Sequence, residues 1–157
     1  MTIKLIAIGK TDNNHLQTLI EDYIKRLNFY IKFAIEIIPD IKNVKNLSES
    51  QQKIKEGELI LNKLTQTDEL ILLDENGKQF DSVSFSEYLQ KKMNSGIKQL
   101  VFVIGGPYGF SDEVYNKANG KISLSKMTFS HQMIRLFFTE QLYRGFTILK
   151  NEPYHHR

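Results

Sequence analysis

Residues 100–111 read LVFVIGGPYGFS, and this stretch decides the fold. Its first five residues are apolar and three of them are Val or Ile, which is typical of a strand buried on both faces of a parallel sheet. The glycines that follow let the backbone turn tightly and approach another group closely. Ser111 is then placed to cap a helix that carries acidic residues in its first turn, where the helix dipole favours them. Many α/β proteins hold a ligand with this order of strand, glycine-rich loop and helix N-terminus.

Strands alternate with helices along the rest of the chain. Further apolar runs predict strands at 3–8, 34–38, 69–73 and 121–124. Capping residues and apolar spacing predict helices that begin after Asn13 or Asn14, after Ser48, after Ser84, after Ser111 and near His131. Residues 74–77, with the carboxylates Asp74 and Glu75, predict a solvated turn. We therefore predict an α/β fold with a mainly parallel sheet and helices on both faces, in one domain spanning residues 1–157.

Composition excludes several classes of protein. The 157 residues contain no cysteine, so disulfides, thiolate metal sites and a cysteine nucleophile are excluded. No apolar run approaches the roughly 18 residues of a membrane-spanning helix, and the N-terminal run lacks the cationic start of a signal peptide. We therefore expect a cytoplasmic protein with no membrane partner. The net charge of +3 permits nucleic acid as a partner without demanding it.

The glycine loop matches no nucleotide-binding fingerprint. Residues 105–109, GGPYG, fit neither G-x-G-x-x-G nor a phosphate loop that ends in Lys followed by Ser or Thr. The loop also follows the fourth predicted strand, whereas a dinucleotide fold has its glycines after the first. On form alone, a structural turn and a ligand-binding loop are equally open.

The C-terminal tail, PYHHR at residues 153–157, combines an aromatic ring, two imidazoles and a guanidinium. A disordered basic tip is the usual state of such a terminus. Histidine is a common metal ligand, and His131 could in principle join His155 and His156. We expect no metal, because adjacent imidazoles point in different directions and no carboxylate lies near them in sequence.

Seven short motifs follow one another along the chain. They are IAIGK at 6–10, DYxxRL at 22–27, GGPxG at 105–109, LSxMTF at 124–129, HQxxR with EQxYR at 131–144, and PYH at 153–155. In this order they resemble the RlmH-type rRNA pseudouridine N3-methyltransferases of the SPOUT superfamily, over essentially the whole chain. Where that family usually has proline, this chain has Ser130, which can cap the last helix instead.

The resemblance implies an α/β fold with a C-terminal trefoil knot, a homodimer, and S-adenosyl-L-methionine bound by the loops of the knot. The cofactor-binding residues that it implies are Leu73, Gly105, Leu124, Ser125, Lys126, Met127, Thr128 and Phe129. Adenine would lie between apolar side chains while backbone groups of the loops bind its edge. Gly105 has no side chain to obstruct the cofactor.

The activity that the resemblance implies is methylation at N3 of a pseudouridine in 23S rRNA, on the assembled 70S ribosome. N3 carries a proton in the neutral base, so a nearby cation or general base assists the reaction. The tail of one subunit is implied to reach the cofactor site of its partner. The catalytic candidates are accordingly Tyr154, His155 and Arg144. The RNA-binding candidates are Arg135, His156 and Arg157, of which either His156 or Arg157 supplies the positive charge of the tail.

Two alternatives belong to other classes of protein. A non-catalytic RNA- or ribosome-binding protein is possible because a fold does not fix a function, although a degenerate binder need not keep both the tail and the 124–129 loop. A nicotinamide or flavin oxidoreductase is opposed by the missing glycine fingerprint after the first strand. Thermal shifts with each cofactor discriminate between these classes, because a ligand that binds the folded state raises the melting temperature.

Overall fold

The computed structural model describes residues 1–156, in which five parallel strands alternate with helices. The strands are β1 (Thr2–Ile8), β2 (Phe33–Ile38), β3 (Glu69–Gln79), β4 (Gln99–Ile104) and β5 (Gly120–Ser123). The α-helices are α1 (Asn14–Leu27), α2 (Glu49–Leu61), α3 (Ser82–Asn94), α4 (Asp112–Lys117) and α5 (Met133–Leu149). A single turn of 3₁₀ helix lies at Val44–Asn46. The sheet order is β2-β1-β4-β3-β5, which confirms the predicted α/β fold.

Helices cover both faces of the sheet because its central strands are apolar on both sides. Alternate residues of β4 point to opposite faces, so Phe102 enters the core beneath α1, α3 and α5 while Val103 enters the core beneath α2 and α4. Every residue of β4 after Gln99 is buried. The prediction made from the five apolar residues at 100–104 is confirmed.

Helix α5 lies between α1 and α3 on one face of the sheet. Phe138 is fully buried, and its ring centroid lies 4.7 Å from that of Phe102 on β4. At Gly145 a Cβ would lie 3.0 Å from Leu89 of α3, so glycine permits the close approach of the two helices. These contacts fix α5 against β4 and α3.

Three predicted helix caps, at Asn13, Ser48 and Ser111, are confirmed and one is wrong. Ser48 and Gln51 form the capping box of α2, with bonds of 3.1 and 2.9 Å, and Asn13 caps α1. The cap of α3 is Asp81 instead of Ser84, since the Asp81 carboxylate accepts from the Ser84 backbone N–H at 2.7 Å. The Asp81 carboxylate, three residues earlier, thus satisfies a backbone donor that the first turn of the helix leaves free.

The predicted turn at 74–77 is wrong, because β3 continues through it. Leu73 and Lys78 both pair with Ile122 of β5, so the residues between them form a bulge inside the strand. A Cβ on Gly77 would lie 2.6 Å from the backbone of Ile122, which explains why glycine stands at this close approach. The bulge keeps the acidic residues of this segment at the carboxyl end of the sheet.

Helix α5 begins at Met133, two residues after its predicted start. The Ser130 hydroxyl accepts from the Met133 N–H at 3.1 Å, and the Ser130 carbonyl accepts from the Ile134 N–H at 3.0 Å. Ser130 therefore caps the turn that leads into α5, whereas Gln132, directly before the helix, makes no side-chain cap bond. Within residues 1–156, no helix combines the length and apolarity that crossing a membrane requires.

We predict that replacing Phe138 with Ala lowers the free energy of unfolding by about 3–5 kcal/mol, because the buried ring leaves a cavity between α5 and β4. Urea titration followed by circular dichroism measures the change. Phe29, which is 89% exposed, provides the control, and its replacement by Ala should change stability by less than about 0.5 kcal/mol. Equal effects of the two substitutions would contradict the role of Phe138 as the anchor of α5.

Candidate active site

A cavity of about 630 Å³ lies at the bulge of β3 and at the carboxyl ends of β4 and β5. Its walls are residues 73–76, 104–110, 123–125 and 127–131, together with Tyr115 and Ile134. Its size is within the range of small-molecule sites. Open α/β sheets bind their ligands at the carboxyl ends of their strands, which is the position of this cavity.

The glycine loop after β4 forms one wall of the cavity. The Gly109 N–H donates to the Gly106 carbonyl at 3.1 Å and closes a four-residue turn. Gly109 has a φ of +81°, which residues with a side chain rarely adopt. A Cβ on Gly105 would lie 3.1 Å from the Phe110 ring, tighter than ordinary packing. The loop therefore presents backbone to the cavity.

Seven of the eight predicted cofactor-binding residues line this cavity, namely Leu73, Gly105, Leu124, Ser125, Met127, Thr128 and Phe129. The eighth, Lys126, is exposed and does not line it. The Ser125 hydroxyl accepts from the Met127 N–H at 3.0 Å and so shapes the loop between β5 and α5. Residues that are far apart in sequence therefore line one cavity, which is what a shared ligand-binding site requires.

The cavity also has a polar wall that the sequence did not reveal. Asp74 lies in the bulge of β3 and accepts a hydrogen bond from the Tyr115 hydroxyl. Burial and this bond raise the pKa of Tyr115 to about 12, so the phenol stays protonated at neutral pH. The Thr128 hydroxyl donates to Glu75 at 3.4 Å. The carboxylates predicted to be solvated in a turn are therefore part of the cavity wall.

Helix α2 places a carboxyl group behind the glycine loop. Glu56 is 3% exposed, and its Oε1 has no hydrogen-bond partner within the described residues. Burial and the nearby Asp40 raise the pKa of Glu56, which favours the neutral acid. Nothing in the sequence distinguished this residue from the charged surface of an amphipathic helix.

Arg135 does not fit the RNA-binding role that the sequence suggested. Its side chain is fully buried, and its guanidinium donates to the Ile8 carbonyl at 2.9 Å and the Thr11 hydroxyl at 3.2 Å. Its Nε donates to the His131 carbonyl at 2.9 Å. Arg135 therefore joins the end of β1 to the turn before α5, and it has no exposed face for a phosphate group.

The three predicted catalytic residues, Arg144 of α5 and Tyr154 and His155 of the tail that follows it, lie together around Glu140 of α5. The Tyr154 hydroxyl donates to Glu140 at 3.0 Å and lies 3.2 Å from the Tyr23 hydroxyl. Arg144 donates twice to Glu140, at 3.1 and 2.6 Å, and lies over the Tyr154 ring at 4.7 Å. Its Nη1 is 3.2 Å from Nδ1 of His155. These five residues are called the tail cluster.

The pKa of Tyr154 is raised by burial and by its hydrogen bonds to Tyr23 and Glu140. This phenol is therefore a neutral donor and does not act as a base. Of the other tail candidates, His156 is exposed, and Arg157 lies outside the described residues. No group of three or more His, Asp or Glu residues within 1–156 could hold a metal ion.

The tail cluster and the cavity lie apart within one chain. Ile134 is the α5 residue at the cavity, and Glu140 and Arg144 follow it by six and ten residues. At a rise of 1.5 Å per residue this is about 9–15 Å along the helix. Residues 154–156 are absent from the cavity wall. One chain alone therefore does not combine the two groups of predicted residues in a single site.

The family of the chain follows from its match to known proteins. A family model described as "Predicted SPOUT methyltransferase" matches residues 1–155. The chain belongs to the SPOUT methyltransferase family. Its α/β fold and the position of its cavity agree with that membership.

Curated SPOUT relatives resemble the chain over its full length. The Ribosomal RNA large subunit methyltransferase H of Flavobacterium psychrophilum is 82% identical, and that of Flavobacterium johnsoniae is 81% identical, each over 100% of both chains. The protein of the same name from Bacteroides thetaiotaomicron is 57% identical over 99% of both. A probable methylase family protein from Haemophilus influenzae Rd KW20 has a similar fold, with a TM-score of 0.53 and 12% identity. The match covers 95% of this chain and 66% of that one.

We predict that replacing Arg135 with Leu lowers the free energy of unfolding by about 2–4 kcal/mol, because the carbonyl groups of Ile8 and His131, both partly buried at these bonds, lose their donors. Chemical denaturation measures the loss. The exposed Lys126 provides a control, and its replacement by Met should have an effect below about 0.5 kcal/mol. If Arg135→Leu left stability unchanged, Arg135 would again be a candidate for RNA binding.

Proposed function

We propose that the chain is an S-adenosyl-L-methionine-dependent methyltransferase that modifies N3 of a pseudouridine in 23S rRNA, on the assembled 70S ribosome. The observation that carries this proposal is the cavity, which seven of the eight predicted cofactor residues line in a chain of the SPOUT family. The names of the relatives at 82% and 81% identity support large-subunit rRNA as the substrate. The order of the motifs supports the pseudouridine and the ribosomal context. Residues 1–157 act as one domain in the cytoplasm.

The residues of the cavity fit the proposed cofactor. Leu73, Leu124 and Phe129 offer apolar surface for adenine, and the backbone of the glycine loop offers N–H and C=O groups to its edge. The carboxylate of Asp74 is available to polar groups of the ligand. When bound, S-adenosyl-L-methionine supplies an electrophilic methyl group on a sulfonium centre.

The tail cluster supplies the groups that act on the base. Arg144 has only donors, so a neutral His155 accepts at Nδ1 and carries its proton on Nε2. In that tautomer His155 orients the pseudouridine by donating to it, instead of removing its proton. The positive charge of Arg144 stabilises the negative charge that develops on the base as the N3 proton passes to solvent water. Tyr154 holds Arg144 in place through its ring and its bond to Glu140.

The proposal includes a homodimer, because one chain holds the cavity and the tail cluster apart. Apolar side chains beside the cavity are exposed, which supports a protein contact there. They are Met127, Phe129, Met133 and Phe137. A partner on this surface brings its own tail to the cavity and completes the site. His156 and Arg157 then stand as candidate RNA contacts.

The trefoil knot is part of the same proposal. Strand β5 lies at the edge of the sheet beside β3, yet α5 returns across the sheet to pack between α1 and α3. The loop at 124–132 makes this return at the cavity. This path supports the knotted connection that the resemblance implies.

Ribosomes that lack the modification are expected to accept label from S-adenosyl-L-methionine into large-subunit RNA when the protein is added. Naked rRNA is expected to accept little, because the proposed substrate is the assembled ribosome. Counting the label in purified 23S rRNA measures both reactions. Equal labelling of naked rRNA would contradict the ribosomal context. If neither RNA were labelled while calorimetry showed bound cofactor, the non-catalytic RNA- or ribosome-binding alternative would be favoured.

His155→Ala is expected to lower kcat by about 100-fold, since the base loses the group that orients it. Single-turnover methylation of ribosomes measures the effect, and calorimetry should show that cofactor affinity is unchanged. The exposed His15 of α1 provides a matched control, and His15→Ala should retain wild-type activity. Activity of His155→Ala within about twofold of wild type would exclude the proposed role.

A further inference from the structure

Helix α2 contacts both ends of the glycine loop, on the side of the loop that faces away from the cavity. A Cβ on Gly57 would lie 2.5 Å from the hydroxyl of Ser111, the residue that ends the loop and caps α4. The preceding residue, Glu56, meets the start of the loop at Gly106. Two consecutive residues of one helix therefore support the loop that forms a wall of the cavity.

The carboxyl group of Glu56 fills the space that a side chain at position 106 would occupy. A Cβ built on Gly106 would overlap both carboxyl oxygens of Glu56. Gly106 lines the cavity and Glu56 does not, so the carboxyl group lies behind the loop backbone. Any shift of this group is transmitted to the backbone that faces the cavity.

Fold stability alone does not account for this arrangement. Glu56 Oε1 is buried without a hydrogen-bond partner in the part of the chain that the structure describes, and an unpaired buried oxygen destabilises a fold. Asp40, which follows β2, is the acidic group near it, and Gln52 lies one turn earlier on α2. Burial and the charge of Asp40 raise the pKa of Glu56 and favour the uncharged acid, and they outweigh the opposing effect of a hydrogen bond from Gln52.

We propose that Glu56 is a positioning residue for the cofactor site, whose carboxyl group packs behind Gly106 and holds the glycine loop in the conformation that receives the cofactor. This inference rests on the proposed function, because the ligand is taken to be S-adenosyl-L-methionine. Glu56 contacts no reacting atom and acts through the backbone of Gly106. It therefore affects cofactor binding and leaves the chemical step unchanged.

Calorimetry with S-adenosyl-L-methionine on the full-length chain tests the inference. Glu56→Ala is expected to weaken binding by about tenfold, because the support behind the loop is lost. Glu56→Gln should bind within about twofold of wild type, since the amide has a similar shape and no charge. Glu58 is exposed on the same helix, and Glu58→Gln is the matched control, with wild-type affinity expected. All affinities are measured well below the melting temperature of each variant.

Steady-state kinetics separates positioning from a general loss of structure. Glu56→Ala should raise the KM for the cofactor about tenfold, with kcat within about twofold of wild type. A fall in kcat equal to the rise in KM would overturn the inference. Wild-type affinity in Glu56→Ala would overturn it as well, as would a loss in Glu56→Gln equal to that in Glu56→Ala.

A double-mutant cycle tests whether Glu56 acts through Gly106. Gly106→Ala alone should weaken binding about tenfold, because its methyl group displaces the carboxyl group or the loop. In the Glu56→Ala background the methyl group enters vacated space, so the same substitution should weaken binding by only about twofold. Independent effects in the two backgrounds would overturn the inference. A folded wild-type chain that binds no S-adenosyl-L-methionine would instead refute the proposed function.

Discussion

The structure depends on the burial of β4 on both faces. β4 lies between β1 and β3, and alternate residues along it reach two separate cores. Phe102 anchors α5 through Phe138 on one face, while Val103 and its neighbours contact the core beneath α2 and α4 on the other. Directly after β4 the backbone has to turn, and the space for this turn between α2 and the cavity is narrow. The glycines at 105, 106 and 109 meet that constraint.

Features set by neighbouring residues could be predicted from the sequence. The apolar run of β4, the capping box of Ser48 and Gln51, and the Ser111 cap all depend on residues within a few positions of one another. The cavity residues were predicted from resemblance to a family, since periodicity gives no information on which loops meet. Seven of those eight line the cavity. Their contact with a cofactor stays a prediction.

Features set by distant residues could not be predicted in this way. Residues 74–77 have the composition of a turn, but they form a bulge because β5, more than forty residues later, pairs on both sides of them. Arg135 and Glu56 have the composition of exposed positions, yet the packing of other elements buries them. A charged residue on a helix is usually solvated. Arg135 is buried because the fold brings the end of β1 against it, and Glu56 is buried because the fold brings the glycine loop against it.

The fixed conformation of Tyr154 and His155 in the C-terminal tail affects the entropy cost of binding a large substrate. A terminus is usually mobile, and ordering a mobile side chain on binding costs about 0.5–1.5 kcal/mol. Here Tyr154 and His155 are already held by Glu140, Arg144 and Tyr23. The conformational entropy of these two side chains is therefore lost when the chain folds, before any nucleotide arrives. Tyr154 is in this way preorganised by Tyr23, a residue 131 positions earlier in helix α1.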